Sequence, residues 1–179
     1  LTALMGGEHG RNIRSIKIND CKMGSDDYSD LPLKNITALE IYLNFDPQLV
    51  HCMLRSASSD NLTGLKITYC DLDTECFNVI STILQLSVNL EQVAVVPRRS
   101  SSCAVLLPHV ARLQHLKRFE IRLKDINEQD GDHLRTILKR QLSQLGLHEC
   151  TFNAALSSAL IDSFPEMHDL EEITFTGDI

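Results

Sequence analysis

The sequence predicts an α/β solenoid, a horseshoe with a parallel β-sheet on its concave face and helices on its convex face. Residues 62–72 (LTGLKITYCDL) and 142–152 (LSQLGLHECTF) share one spacing of apolar residues, with a cysteine at the same place in each. The same spacing recurs every 23 to 28 residues, and most of the intervening segments have helical periodicity. Each repeat is therefore expected to supply one strand and one returning segment. The repeats start at Ile13, Ile36, Leu62, Leu90, Leu116, Leu142 and Leu170.

The strand of each repeat is expected to alternate its side chains between the core and the open concave face. The apolar members of the alternation, such as Leu65 and Ile67, are expected inside. The side chains between them should form columns across the stacked strands. Those expected on the concave face are Ser15, Lys17 and Asn19; Ala38, Glu40 and Tyr42; Gly64, Lys66 and Thr68; Gln92, Ala94 and Val96; Arg118, Glu120 and Arg122; Gln144, Gly146 and His148; and Glu172, Thr174 and Thr176.

The first three returning segments differ in their helical signals. Residues 24–34 contain glycine, aspartates and proline without helical periodicity, which predicts a loop. In the second repeat, Asp46 is placed to cap a helix whose first residue is Pro47. In the third repeat, Asp73 or Thr74 is expected to cap the helix.

The fourth and fifth repeats depart from the pattern. Residues 97–102 replace the cysteine corner with a loop, and Pro108 predicts a kink or a late start in the helix around 104–113. In the fifth repeat Lys124 stands where cysteine is expected, so the side chain turns outward or the corner is rebuilt around the next residue. The helix of that repeat is expected to follow Gly131 and Asp132.

The last two repeats predict one more helix and an uncovered strand. Four apolar residues of the sixth returning segment are expected on one helical face, and Pro165 ends that helix. The seventh strand starts at Leu170 and has no helix after it, which leaves apolar surface in water. The four residues are Leu156, Leu160, Ile161 and Phe164.

Bulk composition fits one domain that covers residues 1–179. The 43% hydrophobic content is enough for a core, and 5% aromatic residues with no tryptophan indicate a core of aliphatic side chains. A net charge of −7 argues against a nucleic-acid surface, which needs clustered lysine and arginine. No apolar run is long enough to span a bilayer, and the first residues lack the features of a secretion signal. The chain starts without methionine, and we expect it to be a fragment of a larger protein.

The six cysteines are expected to act as small buried side chains. Cys21, Cys70 and Cys150 fall in the corner position of the repeat, and Cys52, Cys76 and Cys103 lie in predicted helices or at their starts. This dispersed pattern favours a reducing, cytoplasmic compartment. It contains no CxxC pair, so no metal site is expected.

The sequence contains no recognisable catalytic motif. Nucleotide-binding glycine loops, the G-x-S-x-G elbow and the H-E-x-x-H zinc motif are all missing from it. Cys150 lies near His148, but a buried thiol has a raised pKa and is a poor nucleophile. We therefore expect no enzyme activity, no catalytic residue and no cofactor. Asn35 and Asn61 match the glycosylation acceptor pattern, which keeps a secreted domain open as a rival interpretation.

A concave sheet face is expected to bind a protein or peptide ligand. Tyrosine and arginine are enriched among the residues that dominate binding energy, and charged neighbours extend the surface. The candidate partner-binding residues are Lys17, Tyr42, Lys66, Tyr69, Arg118, Glu120, Arg122 and His148. The residues just after the strands should extend it along one rim, and they are Asp20, Leu43, Tyr69, Leu123 and Glu149.

Residues 67–93 and 145–173 carry a cysteine-type strand motif followed by a helix, and this resembles the ribonuclease-inhibitor-like subfamily of leucine-rich repeats. Such arrays are typical of the carboxy-terminal region of NOD-like receptors, which are cytosolic innate immune sensors. The resemblance implies ligand recognition and restraint of an adjoining nucleotide-binding module. Related repeats also occur in ubiquitin-ligase adaptors and in ribonuclease inhibitor, so a substrate-recruiting adaptor, an enzyme inhibitor and an extracellular receptor domain remain alternatives.

Overall fold

The fold is a repeated β-α arrangement with seven strands of five residues each. The computed structural model describes residues 13–20, 33, 35–44, 46–57, 59–99 and 102–177. The loop prediction for residues 24–34 falls almost entirely outside this part of the chain. The strands are β1 (Ser15–Asn19), β2 (Ala38–Tyr42), β3 (Gly64–Thr68), β4 (Gln92–Val96), β5 (Arg118–Arg122), β6 (Gln144–His148) and β7 (Glu172–Thr176).

All seven strands form one parallel sheet in the order of the sequence. The register matches the predicted columns in every pairing, so that Lys17 pairs with Glu40, which pairs with Lys66. Connections of the β-α-β type share one handedness, and here each leads to the next strand on the same side. Their helices therefore lie on one face of the sheet. We call the other face, which carries the predicted columns, the open face.

Among the described residues, four of the five helices begin at a side chain that caps them. Asp46 accepts hydrogen bonds from the backbone of Gln48 and Leu49, as predicted, and Asp73 caps the next helix by accepting from Cys76 N at 2.8 Å. The helices are α1 (Pro47–Ser56), α2 (Thr74–Leu86), α3 (Leu107–Val110), α4 (Glu128–Leu138) and α5 (Ala154–Ser163). Short 3-10 turns occupy Ser59–Asn61, Ala104–Leu106 and Phe164–Glu166.

The start of α4 differs from the prediction. Asn127 and Asp130 cap each other's backbone N–H groups, so the helix begins at Glu128, three residues before Gly131. Gly131 therefore lies inside the helix, where a Cβ would come within 3.2 Å of Ala155 O on α5. Its role is close helix packing and not a helix boundary.

The buried face of α5 also differs from the prediction. Leu156 is buried as expected, but Ala159 and Ser163 complete the buried stripe. Ile161 and Phe164, which we expected on this stripe, are exposed. The small residues let α5 approach α4 closely, which turns the larger aliphatic side chain outward.

One continuous core fills the space between sheet and helices, and aliphatic side chains from every strand except β7 line it. Burying one such side chain contributes roughly 1.5–3 kcal/mol. Cysteines complete the corners after the strands: Cys70 Sγ donates to Thr68 O at 3.4 Å, and burial raises its pKa to about 11. Cys150 has the same position after β6, whereas Cys21 lies outside the described residues.

The corner of the fifth repeat is rebuilt around the residue after Lys124. Leu123, which we expected on the rim, is buried, while Lys124 is exposed. Asp125 takes the left-handed conformation with φ of 54° that other corners adopt directly after the strand. The corner is thus two residues longer, and the lysine projects outward without occupying the cysteine position.

The layer of β7 is uncovered, as the sequence predicts. Ile173 and Phe175 occupy core positions of the strand but remain exposed, and Phe175 packs against Phe152 with ring centroids 5.9 Å apart. In the described part of the chain, no helix has the length and apolar character needed to cross a membrane.

Candidate binding surface on the open face of the sheet

The candidate site is a set of polar side chains that the register of the sheet brings together on the open face. Alternation turns every second residue of each strand outward, and parallel pairing without slippage stacks these residues into rows. The middle row has three charged residues on β1 to β3, and from β4 onward a small residue on either side of Glu120. It contains Lys17, Glu40, Lys66, Ala94, Glu120, Gly146 and Thr174.

The first half of the site surrounds the ring of Tyr42. Lys17 Nζ lies 3.4 Å from Glu40 Oε2 and 4.6 Å from the centre of the Tyr42 ring. Lys66 Nζ lies 5.5 Å from the same ring, on the neighbouring strand. Two ammonium groups therefore lie close to one aromatic ring, and each such contact is worth ~0.5–1 kcal/mol at exposed sites.

The second half of the site is centred on Glu120. Its carboxylate lies 3.6 Å from Lys66 Nζ and 3.6 Å from His148 Nε2. His148 Nδ1 lies 3.2 Å from Thr176 Oγ1, which continues the contacts to the last strand. We call the whole series the open-face network, and it consists of Lys17, Glu40, Tyr42, Lys66, Glu120, His148 and Thr176.

Two small residues make the second half possible. Ala94 lies between Lys66 and Glu120, so both side chains reach across a strand above its methyl group. At Gly146, a Cβ would lie 2.9 Å from Glu120 Cγ and 3.0 Å from His148 Nε2. Both residues are on the face where the sequence predicts them, but the sequence pattern alone did not indicate that they are part of the site. Reading the row across strands is the signal that finds them.

The contacts lower the pKa of Glu120 and raise the pKa of Lys66. The contact with His148 lowers the pKa of Glu120 most strongly, and Lys66 adds to this against the opposing effect of burial. For Lys66, burial acts to lower the pKa, but the attraction of Glu120 and Tyr42 outweighs it and raises the pKa. Both groups therefore hold their charges over a wider pH range than isolated side chains.

Arg122 is not on the surface of the site. We expected its side chain to be exposed, and this is wrong, because only 4% of the residue is accessible. Its guanidinium donates to the carbonyl oxygens of Pro97 and Arg99, the latter at 2.6 Å, and pairs with Glu149. Arg122 thus holds the irregular corner of the fourth repeat in place.

The eight candidate residues therefore separate into groups. The network brings together Lys17, Tyr42, Lys66, Glu120 and His148. Tyr69 is exposed at the rim just after β3, and Arg118 is exposed at the start of β5.

No family model, curated protein or solved structure matches this chain. The fold and the geometry of the site are therefore the basis for its interpretation. Among the described residues, no group of three or more His, Cys, Asp or Glu side chains is arranged to hold a metal ion.

Two depressions in the described surface are lined mainly by polar and charged residues, several of which are already paired. A shallow one of about 250 Å³ lies on the open face over Gly146, between Glu120 and Thr174. A larger groove of about 780 Å³ lies at the edge where the strands begin, next to Lys117 and Lys139. These two lysines pair with Glu91 and Glu166, at 2.9 Å and 3.0 Å. These surfaces offer a ligand hydrogen bonds and ion pairs.

Proposed function

We propose that the chain is a non-catalytic recognition domain, a leucine-rich-repeat solenoid whose open face is concave and binds a protein or peptide ligand. The observation that carries the proposal is the open-face network. It joins strands from β1 to β7 through paired charges, one aromatic ring and hydrogen bonds. Neighbouring contacts hold these side chains in defined positions, which lowers the entropy that binding must overcome.

The dimensions of the face suit a peptide or a part of a protein surface. Seven strands spaced by ~4.8 Å extend over roughly 30 Å, and five residues add about 16 Å along each strand. The product is about 500 Å², against ~800 Å² per partner in a standard interface. Residues on the rim, such as Tyr69, would have to contribute the remainder.

The buried cysteines support an intracellular setting. Among the described cysteines, Cys70, Cys76, Cys103 and Cys150 are free and buried, and burial raises the pKa of Cys76 and Cys103 to about 12. Thiols of this kind are stable in a reducing compartment and are unlike the paired cysteines of small secreted domains. We therefore propose a cytoplasmic location and a role in ligand sensing and autoinhibition, as in the NOD-like receptors that the repeats resemble.

The alternatives are a substrate-recruiting adaptor of a ubiquitin ligase, an enzyme inhibitor and an extracellular receptor domain. The sequence that precedes this chain in its gene separates most of them. A nucleotide-binding module favours the sensor, an F-box favours the adaptor, and a signal peptide favours the receptor.

Selection from a display library of folded binding proteins, with the native chain as target, tests the binding surface. Tyr42→Ser combined with Lys66→Gln removes the aromatic ring and one cation from the open face. Arg55→Gln is the matched control, because it removes a cation from the exposed side of α1.

We expect most selected binders to lose at least tenfold in affinity for the open-face variant and to keep their affinity for Arg55→Gln. Circular dichroism must give both variants a Tm close to that of the parent. Binders that ignore the open-face change and respond to Arg55→Gln would overturn the proposal.

A further inference from the structure

The residues directly after β2 and β3 are of types that rarely adopt the backbone conformation found there. Leu43 and Tyr69 have φ of 49° and 56°, in the left-handed region that favours glycine, asparagine and aspartate. The equivalent residues after β1 and β6 are Asp20 and Glu149, which are polar. Large apolar side chains are therefore placed where they are least suited to the backbone.

Backbone hydrogen bonds explain why the conformation persists. Leu43 N donates to Thr68 O at 3.1 Å, and Tyr69 N donates to Val96 O at 2.7 Å. These bonds extend the ladder one residue past each strand before the chain turns into the corner. The surrounding structure thus imposes the strain, and strain of this kind concentrates at functional sites.

Both side chains are also exposed, Leu43 to 43% and Tyr69 to 51%. They follow the paired residues Tyr42 and Thr68, so they occupy neighbouring positions on the rim of the open face. We call Leu43 and Tyr69 the corner patch. Because both side chains are exposed, they stabilise the fold less than buried side chains of the same size would.

The charges on either side of the corner patch are not equally accessible. Beside β2, the side chain of Lys17 is 63% exposed and its partner Glu40 only 31%. Beyond Tyr69, the side chain of Arg99 is 80% exposed and its partner Asp71 only 15%, with 3.4 Å between Nε and Oδ1. Within each of these two pairs an approaching molecule therefore meets the cation first, although Asp20, the rim residue after β1, is an exposed acid and the chain as a whole carries a net charge of −7.

We propose that the corner patch is the anchor for an extended, acidic peptide segment, which inserts one apolar side chain between Leu43 and Tyr69 and sets carboxylates beside Lys17 and Arg99. The inference rests on the proposed function and names the partner class for the same face. Burial of the apolar side chain would supply most of the affinity, and the charged contacts would fix the orientation of the peptide. Interfaces with an apolar centre and a polar rim divide these roles in the same way.

A random dodecapeptide phage library, selected on the native chain, provides the probes. We expect the enriched peptides to share an apolar residue with a glutamate or aspartate within two or three positions. Leu43→Asn with Tyr69→Asn should weaken their binding at least tenfold and raise the Tm by roughly 2–4 °C, since asparagine tolerates positive φ. Asp125→Asn, at another residue with positive φ of 54°, is the control and should leave binding unchanged.

The outcomes separate this inference from the proposed function. Peptides that bind the Asn variant as well as the parent, but lose affinity for the Tyr42→Ser and Lys66→Gln variant, overturn the corner patch and retain the open face. A fall in Tm for the Asn variant shows that Leu43 and Tyr69 serve packing, which also overturns the inference. If binding tolerates both sets of changes, the corner patch and the proposed function are both wrong.

Discussion

The carboxylate of Glu120 lies 3.6 Å from the ammonium group of Lys66, although a complete strand separates the two residues. The contact exists because Ala94, on the strand between them, is small enough for both side chains to extend over it. The two residues are far apart in sequence and belong to different repeats. The open-face network is thus a property of the stacked sheet, and each of its members depends on neighbours in other repeats.

A double-mutant cycle should measure this contact. Lys66→Met and Glu120→Gln each remove one charge from a pair in which both side chains are less than one third exposed. We expect a coupling energy of ~0.5–1 kcal/mol from urea unfolding of the two single variants and the double variant. A coupling energy of zero at low salt would mean that the two side chains do not interact in solution.

Gly146→Ala should separate Glu120 from His148. The new methyl group would lie 2.9 Å from Glu120 Cγ, so both side chains must move, while the backbone keeps its place. Since the interaction with His148 is the largest cause of the lowered pKa of Glu120, that pKa should rise toward its ordinary value. A carboxyl-carbon NMR titration measures the change. Gly64→Ala is the control, because its Cβ would meet Ala38 only at an ordinary 3.6 Å.

The sign of the pH effect on stability follows from the same shift. A carboxyl with a lowered pKa in the folded state stabilises the fold above its unfolded pKa, and this contribution is lost as the pH falls through the folded pKa. Gly146→Ala should therefore reduce the loss of stability on acidification. An unchanged acid-unfolding profile together with an unchanged Glu120 pKa would contradict the contact.

Arg122→Met should be among the most destabilising changes in the strands, because the side chain is buried. It leaves the carbonyl oxygens of Pro97 and Arg99 without a buried donor, which costs about 1–3 kcal/mol for each unsatisfied group. We expect a loss of roughly 2–4 kcal/mol by chemical unfolding. Arg118→Met, at an exposed position of the same strand, should cost less than about 0.5 kcal/mol. Equal effects of the two changes would place Arg122 at the surface after all.

The buried thiols predict a loss of stability in alkali. Burial raises the pKa of Cys70 and Cys150 to about 11 and that of Cys76 and Cys103 to about 12, from an ordinary value of 9.0. Below pH 9 both states keep these protons. Above pH 9 the unfolded chain releases them first, so the free energy of unfolding falls by up to ~1.4 kcal/mol per pH unit for each thiol, until the folded pKa is reached.

Thermal unfolding at pH 8, 9 and 10 measures this trend. Cys70→Ala and Cys150→Ala each lower the starting stability but should make the fall between pH 9 and 10 shallower. If the parent and both variants lose stability in parallel, the thiols do not carry the alkaline effect.

The seven strands and their register could be predicted from sequence because inward and outward positions alternate strictly. Leu65 and Ile67 are buried as expected, and the row through Lys66 pairs without slippage on both sides. A slip of one residue would move all apolar side chains to the open face, so the pattern has one stable solution. Helix caps are equally local, so the sequence predicts the cap at Asp46 and narrows the next one to Asp73 or Thr74, of which the structure has Asp73.

The errors arise where structure depends on distant residues. Arg122 follows the alternation, but the irregular corner after β4 covers it and supplies carbonyl acceptors that no strand pattern indicates. On α5, the close approach of α4 at Gly131 and Ala155 selects a face of small residues, which leaves Ile161 exposed. The roles of Ala94 and Gly146 are missed for the same reason, since what matters at each is what the neighbouring strands place above it.

Hydrogen exchange of the chain with and without a selected peptide bound tests the central claim most directly. The account predicts slower exchange, on binding, of backbone amides in β2 and β3 and in the rim that follows them, around Leu43 and Tyr69. Amides on the exposed side of α1 and α2 should exchange as before. Protection confined to the helices, with the strands and their rim unaffected, would contradict the claim that this domain binds its partner through the open face of the sheet.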